Sequence, residues 1–296
     1  TSDLSADYKR QYELKAVIQE CTNEGAIQAK RSYAGGVCGR MDLGLITDSC
    51  GFGSVASDSG DYVGGIAGQT GSTVRQSYAK CTLSGSRYVG GIVGHGYATI
   101  TNCNFIGSIR TSLYQVGGIA GSGGFTITNC TVDGNISGAS WVGGIVGNCQ
   151  DGGAYTNCYV KGEISADSAY YGVGAAGIAA IPLYTSQAIS NCYSDTVTKN
   201  GGKEVNAPII GVYNDTVTAD TKTFLTNNSW NKEKNSNDTF GICGGDNADP
   251  TVPVNNVSRS NNLIAVASDL LYVEPGTLTI AHGTSLTQEE ILDTLN

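Results

Sequence analysis

The chain has 296 residues, of which only 15% are charged, and its formal net charge is −9 with an isoelectric point near 4.6. This acidity, together with the lack of a basic stripe, excludes nucleic acid and anionic membrane surfaces as expected partners. No apolar stretch reaches the roughly 20 residues that a membrane-spanning helix requires, so we expect no membrane insertion by this segment.

The first predicted element is a strand near the N-terminus. Tyr12, Leu14, Ala16 and Ile18 alternate with mostly polar residues, which is the period of a half-buried strand. We expect this segment to feed or cover the first of the repeats that follow, because a stack of repeats must hide its terminal core and its sheet edges.

A glycine-rich phrase then recurs along the chain. Its clearest copies read YVGGIAG at 62–68, YVGGIVG at 88–94, QVGGIAG at 115–121 and WVGGIVG at 141–147. The glycine pairs begin at Gly35, Gly64, Gly90, Gly117 and Gly143, in steps of 29, 26, 27 and 26 residues. Degenerate copies follow at Ala176-Gly177-Ile178, Ala207-Pro208-Ile209 and Phe240-Gly241-Ile242. This near-fixed period indicates a stack of about eight similar units.

A second phrase lies between the glycine pairs, as in ITNCNFIGSI at 100–109, ITNCTVDGNI at 127–136 and YTNCYVKGEI at 155–164. With the register fixed by the leading residue of the phrase, it predicts a column of Cys21, Cys50, Ser77, Cys103, Cys130, Cys158, Cys192 and Ser229. The column before it reads Glu20, Ser49, Gln76, Asn102, Asn129, Asn157, Asn191 and Asn228. If each unit is one coil of β-strands, equivalent residues lie about 4.8 Å apart. We then expect an asparagine ladder at a tight corner and a file of buried cysteines.

The repeats are rich in Gly, Val, Ile, Thr and Tyr and lack a sustained helical period. We therefore predict an all-β fold, a parallel β-helix (β-solenoid) of about eight coils with atypical capping segments at both ends. About 26 residues per coil suit three short strands and their turns, and eight coils would make a rod on the order of 40 Å long. A bend is expected at Gly64-Gly65, because Val63 and Ile66 cannot both face inward from a regular strand.

The pattern changes after Pro250 and Pro253. Short strands are predicted at 263–266, 270–273 and 278–281, and Thr287 with Glu290 forms a capping box for a short helix through Leu295. We predict a repeat solenoid with its N-terminal cap at 1–249, and a C-terminal cap or the start of an adjoining module at 250–296.

Most of the ten cysteines fall in one column. Side chains stacked in parallel point the same way, which is an awkward geometry for a disulfide, so we expect free and buried thiols. The alternative pairs Cys103 with Cys130, or Cys130 with Cys158.

The chain contains a dinucleotide-binding pattern that we interpret as part of a repeat. Gly172 to Gly177 satisfies GxGxxG, and Asp195 follows at the distance expected of a ribose-binding acid. However, Gly177-Ile178 continues the register of the earlier glycine phrases, and no helical period follows to supply a phosphate-binding helix terminus. We expect no cofactor.

No catalytic or metal-binding residues are predicted. His95 and His282 are far apart in sequence, and His95 occupies a variable position, interpreted as a surface loop, where other copies carry Arg40, Gln69, Ser122 and Asn148. The nearest carboxylate groupings, Asp58 with Asp61 and Asp246 with Asp249, lack the regular oxygen-ligand spacing of a calcium loop and are interpreted as solvated turns. A catalytic pair assembled from distant coils remains an open alternative.

An aromatic column precedes the glycine phrase, with Tyr33, Tyr62, Tyr88, Gln115 and Trp141 at the same position. If the following valine faces the core, strand alternation points these side chains outward. Exposed Tyr and Trp can pack against sugar rings or a protein. We therefore take Tyr33, Tyr62, Tyr88 and Trp141 as candidate ligand contacts; the alternative is that they only cover the flank of a sheet.

The alternating VGGIVG and TNCYxxGxI phrases resemble the GLUG-motif repeats of large bacterial surface and secreted proteins, with Ile66 and its equivalents where that family usually has Leu. The resemblance covers about residues 21 to 192, and the last copies depart from it, with Pro208 and Phe240 in place of glycines and Ser229-Trp230 in place of Cys-Tyr. It implies a cell-surface or extracellular location, a role in adhesion or as a stalk, and a place within longer chains, some of which carry immunoglobulin-cleaving metallopeptidase domains. It brings no catalytic residues.

These observations predict a non-enzymatic repeat module of a bacterial surface or secreted protein. We expect it to be a monomeric part of a longer chain that serves as a stalk or spacer and as an adhesion surface for a glycan or a host protein. The alternatives are a carbohydrate-active β-helix that binds or cleaves polysaccharide, and an accessory region of a surface peptidase.

Overall fold

Short strands rich in Val, Ile, Thr and Tyr, separated by glycine and asparagine corners, wind the chain into a parallel β-solenoid. The computed structural model describes residues 16–149, 152–168, 174–182, 187–205, 207–211, 225–231, 233–235, 242–243 and 257–259. Within these ranges all regular structure is β, and the strands form four sheets that run along the rod. The predicted fold class is confirmed.

Sheets 1 and 2 come first in each coil. Sheet 1 contains Val17–Gln19, Leu45–Thr47, Thr73–Arg75, Thr99–Thr101, Phe125–Thr128, Gly153–Thr156, Gln187–Ser190 and Leu225–Thr226. Sheet 2 contains Thr22–Asn23, Ile27–Ala29, Cys50–Ser57, Tyr78–Gly85, Asn104–Thr111, Thr131–Gly138, Tyr159–Ala166, Tyr193–Asn200, Lys203–Glu204, Ser229–Asn231 and Val257–Arg259. Its eight-residue strands make the widest face of the rod.

Sheets 3 and 4 complete the coil. Sheet 3 contains Ala34–Gly35, Val63–Gly64, Val89–Gly90, Tyr114–Gly117, Ser140–Gly143 and Ala175–Ala176. Sheet 4 contains Cys38–Met41, Ala67–Thr70, Val93–Gly96, Ala120–Gly123, Val146–Cys149, Ala179–Pro182, Ile210–Gly211 and Ile242–Cys243. Pairing between successive coils is parallel, whereas Lys203–Glu204 pairs antiparallel with Tyr193–Asn200.

The coil differs in two respects from the prediction. It holds four strands rather than three, because the glycine phrase divides one segment between sheets 3 and 4. Six coils contribute described strands to all four sheets, fewer than the eight predicted; the next two, which begin at Gln187 and Leu225, have described strands in sheets 1, 2 and 4. The last glycine copy is also shifted by one residue, since Ile242 pairs with Ile210 rather than aligning with Ile209.

Both ends lie largely outside the described residues. Of the predicted N-terminal strand, Val17–Gln19 is described and belongs to sheet 1, whereas Tyr12 and Leu14 lie outside. The predicted C-terminal strands and the helix through Leu295 lie outside as well. Val257–Arg259 pairs with Ser229–Asn231, so sheet 2 continues past residue 250, and the domain boundary at 249/250 stays a prediction.

The glycine phrase joins sheet 3 to sheet 4 at a bend where backbone packs closely on backbone. Val63 and Ile66 are both fully buried, and the chain bends at Gly65-Ile66 between them, which confirms the predicted bend. A Cβ on Gly64 would lie 2.0 Å from the Ala67 carbonyl oxygen, and one on Gly65 would lie 2.1 Å from the Gly91 carbonyl oxygen in the next coil. Side chains are excluded at both positions because backbone packs on backbone there.

Substitution at this contact should destabilise the solenoid strongly. A Cβ at Gly91 would lie 1.9 Å from the Gly118 carbonyl oxygen and 2.5 Å from Cγ of Phe105. We expect Gly91→Ala to lower the free energy of unfolding by at least about 2 kcal/mol, as measured by chemical denaturation followed by circular dichroism. The control is Gly25→Ala, whose Cβ would have only Asn23 Oδ1 nearby, at 3.5 Å. Equal stabilities for the two variants would contradict this account.

The cysteine file forms as predicted in the central coils. Cys103, Cys130 and Cys158 occupy equivalent positions, and each Sγ donates to the carbonyl oxygen two residues earlier, at 3.3, 3.3 and 3.4 Å. The thiols of the nine cysteines with described side chains are free. The file therefore closes a corner by hydrogen bonding and does not form the bridges that were the alternative.

The predicted columns are wrong by one residue in two coils. Ser49 takes the cysteine position in the second coil, where Oγ donates to the Thr47 carbonyl at 2.8 Å, while Cys50 pairs with Tyr78 in sheet 2. In the last described coil Asn228 takes this position, because Ser229 pairs with Tyr193. In the second coil the position requires a donor to the second preceding carbonyl, and Ser49 meets that requirement as well as a cysteine does. In the last coil Asn228 Nδ2 instead donates to the Ile189 carbonyl of the preceding coil, at 2.8 Å.

The corner before this file adopts the left-handed conformation. Its φ values lie between 48° and 57° at Glu20, Asp48, Gln76, Asn102, Asn129, Asn157, Asn191 and Asn227. Asparagine tolerates this region better than most residues, which explains its recurrence. The predicted amide ladder is present where Asn157 Nδ2 donates to Asn129 Oδ1 at 3.2 Å.

The coils that carry serine at the cysteine position suggest a test of the corner hydrogen bond. We expect Cys130→Ser to retain near-native stability, because Ser49 and Ser77 already make the same hydrogen bond at 2.8 Å. Cys130→Ala should be less stable than Cys130→Ser by about 1 kcal/mol, because it removes the side-chain donor and leaves the Thr128 carbonyl with only the backbone N–H of Asn102. Thermal unfolding of both variants checks this order, and a more stable alanine variant would be incompatible with the proposed hydrogen bond.

Candidate interaction surface

The aromatic column lies at the corner where the chain enters sheet 3. Tyr33, Tyr62, Tyr88, Gln115 and Trp141 all have left-handed φ values, between 55° and 70°. The valine that follows is fully buried at 63, 89, 116 and 142. The aromatic side chains therefore point away from the core as predicted, but the left-handed corner turns them outward, rather than the alternation of a strand.

Three of the four candidate residues form one continuous stack. The ring centroids of Tyr33 and Tyr62 are 5.1 Å apart at an interplanar angle of 11°, and those of Tyr62 and Tyr88 are 5.0 Å apart at 10°. This spacing follows the strand spacing of about 4.8 Å. Because the rings lie face to face, they cover one another's faces and present their edges and hydroxyl groups outward. We call these three residues the tyrosine stack.

Arginine side chains lie over both ends of the tyrosine stack. The Arg40 guanidinium carbon is 5.6 Å from the Tyr33 ring centroid, and the Arg87 carbon is 5.4 Å from that of Tyr88. These are cation–π distances. Arg87 also forms an ion pair with Asp61 at 2.6 Å. The hydrogen bond to Asp61 raises the pKa of Arg87, and the hydrogen bond to Tyr114 raises it by a smaller amount. The two cations thus extend the stack while a carboxylate offsets the charge of Arg87.

The fourth candidate, Trp141, is separated from the tyrosine stack. Gln115 occupies the column between Tyr88 and Trp141 and is only 2% exposed. Trp141 lies two coils beyond Tyr88 and packs against Tyr114, at 5.2 Å between ring centroids, and against Ala180. The structure therefore brings Tyr33, Tyr62 and Tyr88 together and leaves Trp141 in a second aromatic cluster.

His95 belongs to this surface, although its variable position in the repeat predicted a surface loop. It lies within the strand Val93–Gly96 and pairs with Gln69 and Ser122, so the predicted register is confirmed and the predicted loop is wrong. Its ring contacts Tyr62 and Tyr88 edge-on, at centroid distances of 5.1 and 5.3 Å. The sequence carried no signal for this contact, because the residue after each glycine phrase varies in type while the strand itself continues.

The Tyr62 and Tyr88 hydroxyls remain protonated near neutral pH. Partial burial raises the pKa of Tyr62 and, with a smaller opposing effect from Arg87, that of Tyr88. A protonated phenol both donates and accepts hydrogen bonds. The surface therefore offers a row of hydroxyl groups rather than phenolate charges.

The GxGxxG match is part of the solenoid, as interpreted from the sequence. Residues 172 and 173 lie outside the described ranges, but Ala175 pairs with Val142 and Ala176 with Gly143 in sheet 3. Asp195 is 7% exposed and forms an ion pair with Lys234 at 2.9 Å. Gly177 therefore continues the repeat register opposite Gly144.

Of the carboxylate groupings, Asp61 forms its ion pair with Arg87, and Asp58 accepts a hydrogen bond from Gln28. Asp246 and Asp249 lie outside the described residues. Among the residues that the structure describes, no cluster of three or more His, Cys, Asp or Glu side chains could hold a metal ion.

A family model described as the GLUG motif matches residues 85–110 and 112–137. These two segments are GLUG-motif repeats. Each matched segment runs from the end of one sheet 2 strand through the next one, so one GLUG repeat corresponds to one coil of the solenoid.

No curated protein and no solved structure matches the chain in the two other comparisons. In the described part of the chain, no helix has the length and apolar character needed to cross a bilayer.

The buried thiols are poor nucleophiles at neutral pH. Burial raises the pKa of Cys81 and of Cys149 to about 12, and it also raises the pKa of Cys130 and of Cys192 well above the ordinary value. The reactive form of a cysteine is the thiolate. These side chains therefore serve packing and corner hydrogen bonds rather than covalent chemistry.

The raised pKa values predict a loss of stability in alkali. Below pH 9 the thiol is neutral in both states, whereas between pH 9 and about 12 the unfolded chain loses the proton that folded Cys81 retains. The free energy of unfolding should then fall by about 1.4 kcal/mol per pH unit for each such thiol. We expect Cys81→Ala to show a shallower decline than the native chain in denaturation series across this range. Identical slopes would contradict it.

Proposed function

We propose that this chain is a non-enzymatic stalk or spacer module of a bacterial surface or secreted protein, and that its aromatic corner is an adhesion surface. The observation that carries the proposal is the parallel register of the described coils, in which the strands of each sheet pair with their equivalents in neighbouring coils. A rod built this way has a length set by its number of coils and holds its side chains at fixed spacing. Both properties suit a spacer that presents a contact surface.

The composition of the corner supports the adhesion role. Tyrosine, tryptophan and arginine are the residue types most enriched at energetically important interface positions. Tyr33 is 40% exposed, and Tyr62, Tyr88 and Trp141 are partly exposed. Stacking holds the rings in place before any partner binds, so that little side-chain entropy is lost on association.

The geometry favours recognition by ring edges and hydroxyl groups. A sugar ring that packs on tyrosine needs a free aromatic face, and the faces inside the tyrosine stack are covered by neighbouring rings. The expected partner of this corner is therefore a host extracellular protein, or a glycan that binds through hydrogen bonds rather than by stacking. We expect an extracellular or cell-surface location, with the module as a monomeric part of a longer chain.

The alternatives receive less support. Hydrolysis of a polysaccharide requires two carboxyl groups that flank the scissile bond. In the carboxylate grouping of Asp58 with Asp61, the Asp61 carboxylate is already paired with Arg87. An accessory role beside a surface peptidase is compatible with a spacer and depends on the neighbouring parts of the longer protein.

A set of substitutions tests the adhesion surface. We expect combined Tyr62→Ala, Tyr88→Ala and Trp141→Ala changes to weaken binding to immobilised host extracellular proteins or arrayed glycans at least about tenfold, which is about 1.4 kcal/mol. Tyr62→Phe keeps the stack and removes one hydroxyl, so it separates hydrogen bonding from ring packing. Lys80→Ala, at an exposed position of sheet 2, is the control. Unchanged affinity of the triple variant for every ligand that binds the native chain would refute the proposal.

A further inference from the structure

A cluster of charged and amide side chains lies near the C-terminal end of sheet 2, away from the aromatic corner. Asp195 belongs to the strand Tyr193–Asn200, and Asn231 ends the strand Ser229–Asn231 in the next coil. Asp195 Oδ1 accepts a hydrogen bond from Asn231 Nδ2 at 2.7 Å and lies 2.9 Å from Lys234 Nζ. A primary amine and a primary carboxamide therefore meet on one carboxylate oxygen. We call Asp195, Asn231 and Lys234 the amide triad.

A short turn holds Lys234 close to Asn231. The backbone N–H groups of Lys234 and Asn235 both donate to the Asn231 carbonyl oxygen, at 3.3 and 3.0 Å. Lys234 Nζ also donates to the backbone carbonyl of Asp195 at 3.2 Å. The turn and Asp195 thus fix the amine beside the carboxamide, and such fixed proximity accelerates a reaction between two groups that would otherwise have to meet by chance.

The Asn231 carboxamide is hydrogen-bonded at both of its polar atoms. Its nitrogen donates to Asp195, and its oxygen accepts the backbone N–H of Glu233 at 2.9 Å. When an amine adds to a carboxamide carbon, negative charge develops on this oxygen, and a backbone N–H at about 2.7–3.1 Å stabilises that charge. The Glu233 N–H is therefore placed to act as an oxyanion donor.

The amide triad is more protected from water than the other ion pairs of the described residues. Asn231 is 1% exposed and the Asp195 side chain is 10% exposed. The carboxylates of the other described ion pairs are 17% to 68% exposed. Burial excludes the water that would compete with the amine for the carboxamide. Lys234 is 35% exposed, which leaves a path along which a released ammonia can depart.

We propose that Lys234 and Asn231 form an isopeptide crosslink, with Asp195 as the proton carrier. Asp195 takes a proton from the Lys234 ammonium, and the neutral amine adds to Cγ of Asn231. The Cγ–Nδ2 bond then breaks as the Cγ–Nζ bond is completed. Asp195 carries two protons in turn from Nζ to the leaving nitrogen, which departs as ammonium. One secondary amide replaces one primary amide, no electrons are exchanged, and Asp195 ends as a carboxylate.

The crosslink would close the turn that follows the strand Ser229–Asn231. A covalent ring there restricts the unfolded chain and keeps the amide N–H beside Asp195. This inference goes beyond the proposed function. The amide triad shares no residue with the aromatic corner, so the crosslink and the adhesion surface can fail separately.

Intact mass spectrometry of the whole chain, denatured and reduced, tests the crosslink. After incubation at neutral pH until the mass no longer changes, we expect a mass about 17 Da below that of the sequence, which is the mass of one ammonia. Trypsin should not cut after Lys234, because its side chain is acylated. Cleavage after Lys232 should then release two peptides that remain joined through the new amide.

Three variants identify the residues that react. Lys234→Arg keeps a cation beside Asp195 but has no nucleophilic amine, and Asp195→Asn keeps the shape of the side chain but cannot carry the proton. Both variants should have the full sequence mass. The matched control is Lys161→Arg, which alters a half-exposed ion pair with Asp133 at 3.4 Å; it should show the same mass loss as the native chain.

The full sequence mass in a native chain with a β-type circular dichroism spectrum would overturn the inference. A mass loss that persists in Lys234→Arg would overturn it as well. A cyclic imide at Asn200-Gly201 also releases one ammonia, but hydroxylamine cleaves an imide and leaves an isopeptide intact. Persistence of the linked peptides in a folded Asp195→Asn variant would refute the role of Asp195 as proton carrier.

Discussion

Parallel backbone hydrogen bonding between successive coils is the constraint on which the structure depends. It sets the rise of the rod, aligns equivalent residues into files, and requires neighbouring backbones to approach closely at the glycine phrase. The phrase recurs because a Cβ at its first two glycines would overlap a carbonyl oxygen of the same or the next coil. The cysteine and serine file has the same origin, since one side-chain donor per coil closes the left-handed corner that leads into sheet 2.

The same regularity determines what the surface can do. Identical side chains in one file stack on each other, as Tyr33, Tyr62 and Tyr88 do, and a stacked ring offers its edge rather than its face. A binding site for a flat ligand therefore requires a position where the file is interrupted. Gln115 interrupts the aromatic file, because its buried amide separates two aromatic clusters. In this solenoid the repeats provide rigidity, and departures from the repeat provide distinct contact chemistry.

Much of the fold could be predicted from the sequence. The period, the parallel solenoid, the bend between Val63 and Ile66 and the alignment of His95 with Gln69 and Ser122 all follow from spacing and apolar pattern, because those features repeat in every coil. The division into four sheets did not follow, since two short strands joined at a glycine bend look like one strand in a linear pattern. The cysteine column slipped at Cys50 because the corner selects a hydrogen-bond donor, which Ser49 supplies, rather than a particular residue type.

The amino-acid sequence by itself determined the identity of the repeating unit, because glycine, asparagine and β-branched residues have local backbone preferences that each coil expresses independently. The tertiary structure alone decided which surfaces are accessible and to what. Whether a ring shows its face or its edge depends on the residue one coil away, about 26 positions along the chain, and on the rotation between sheets. The contacts of Arg87 with Tyr88 and of His95 with Tyr62 arise only once the coils lie on one another.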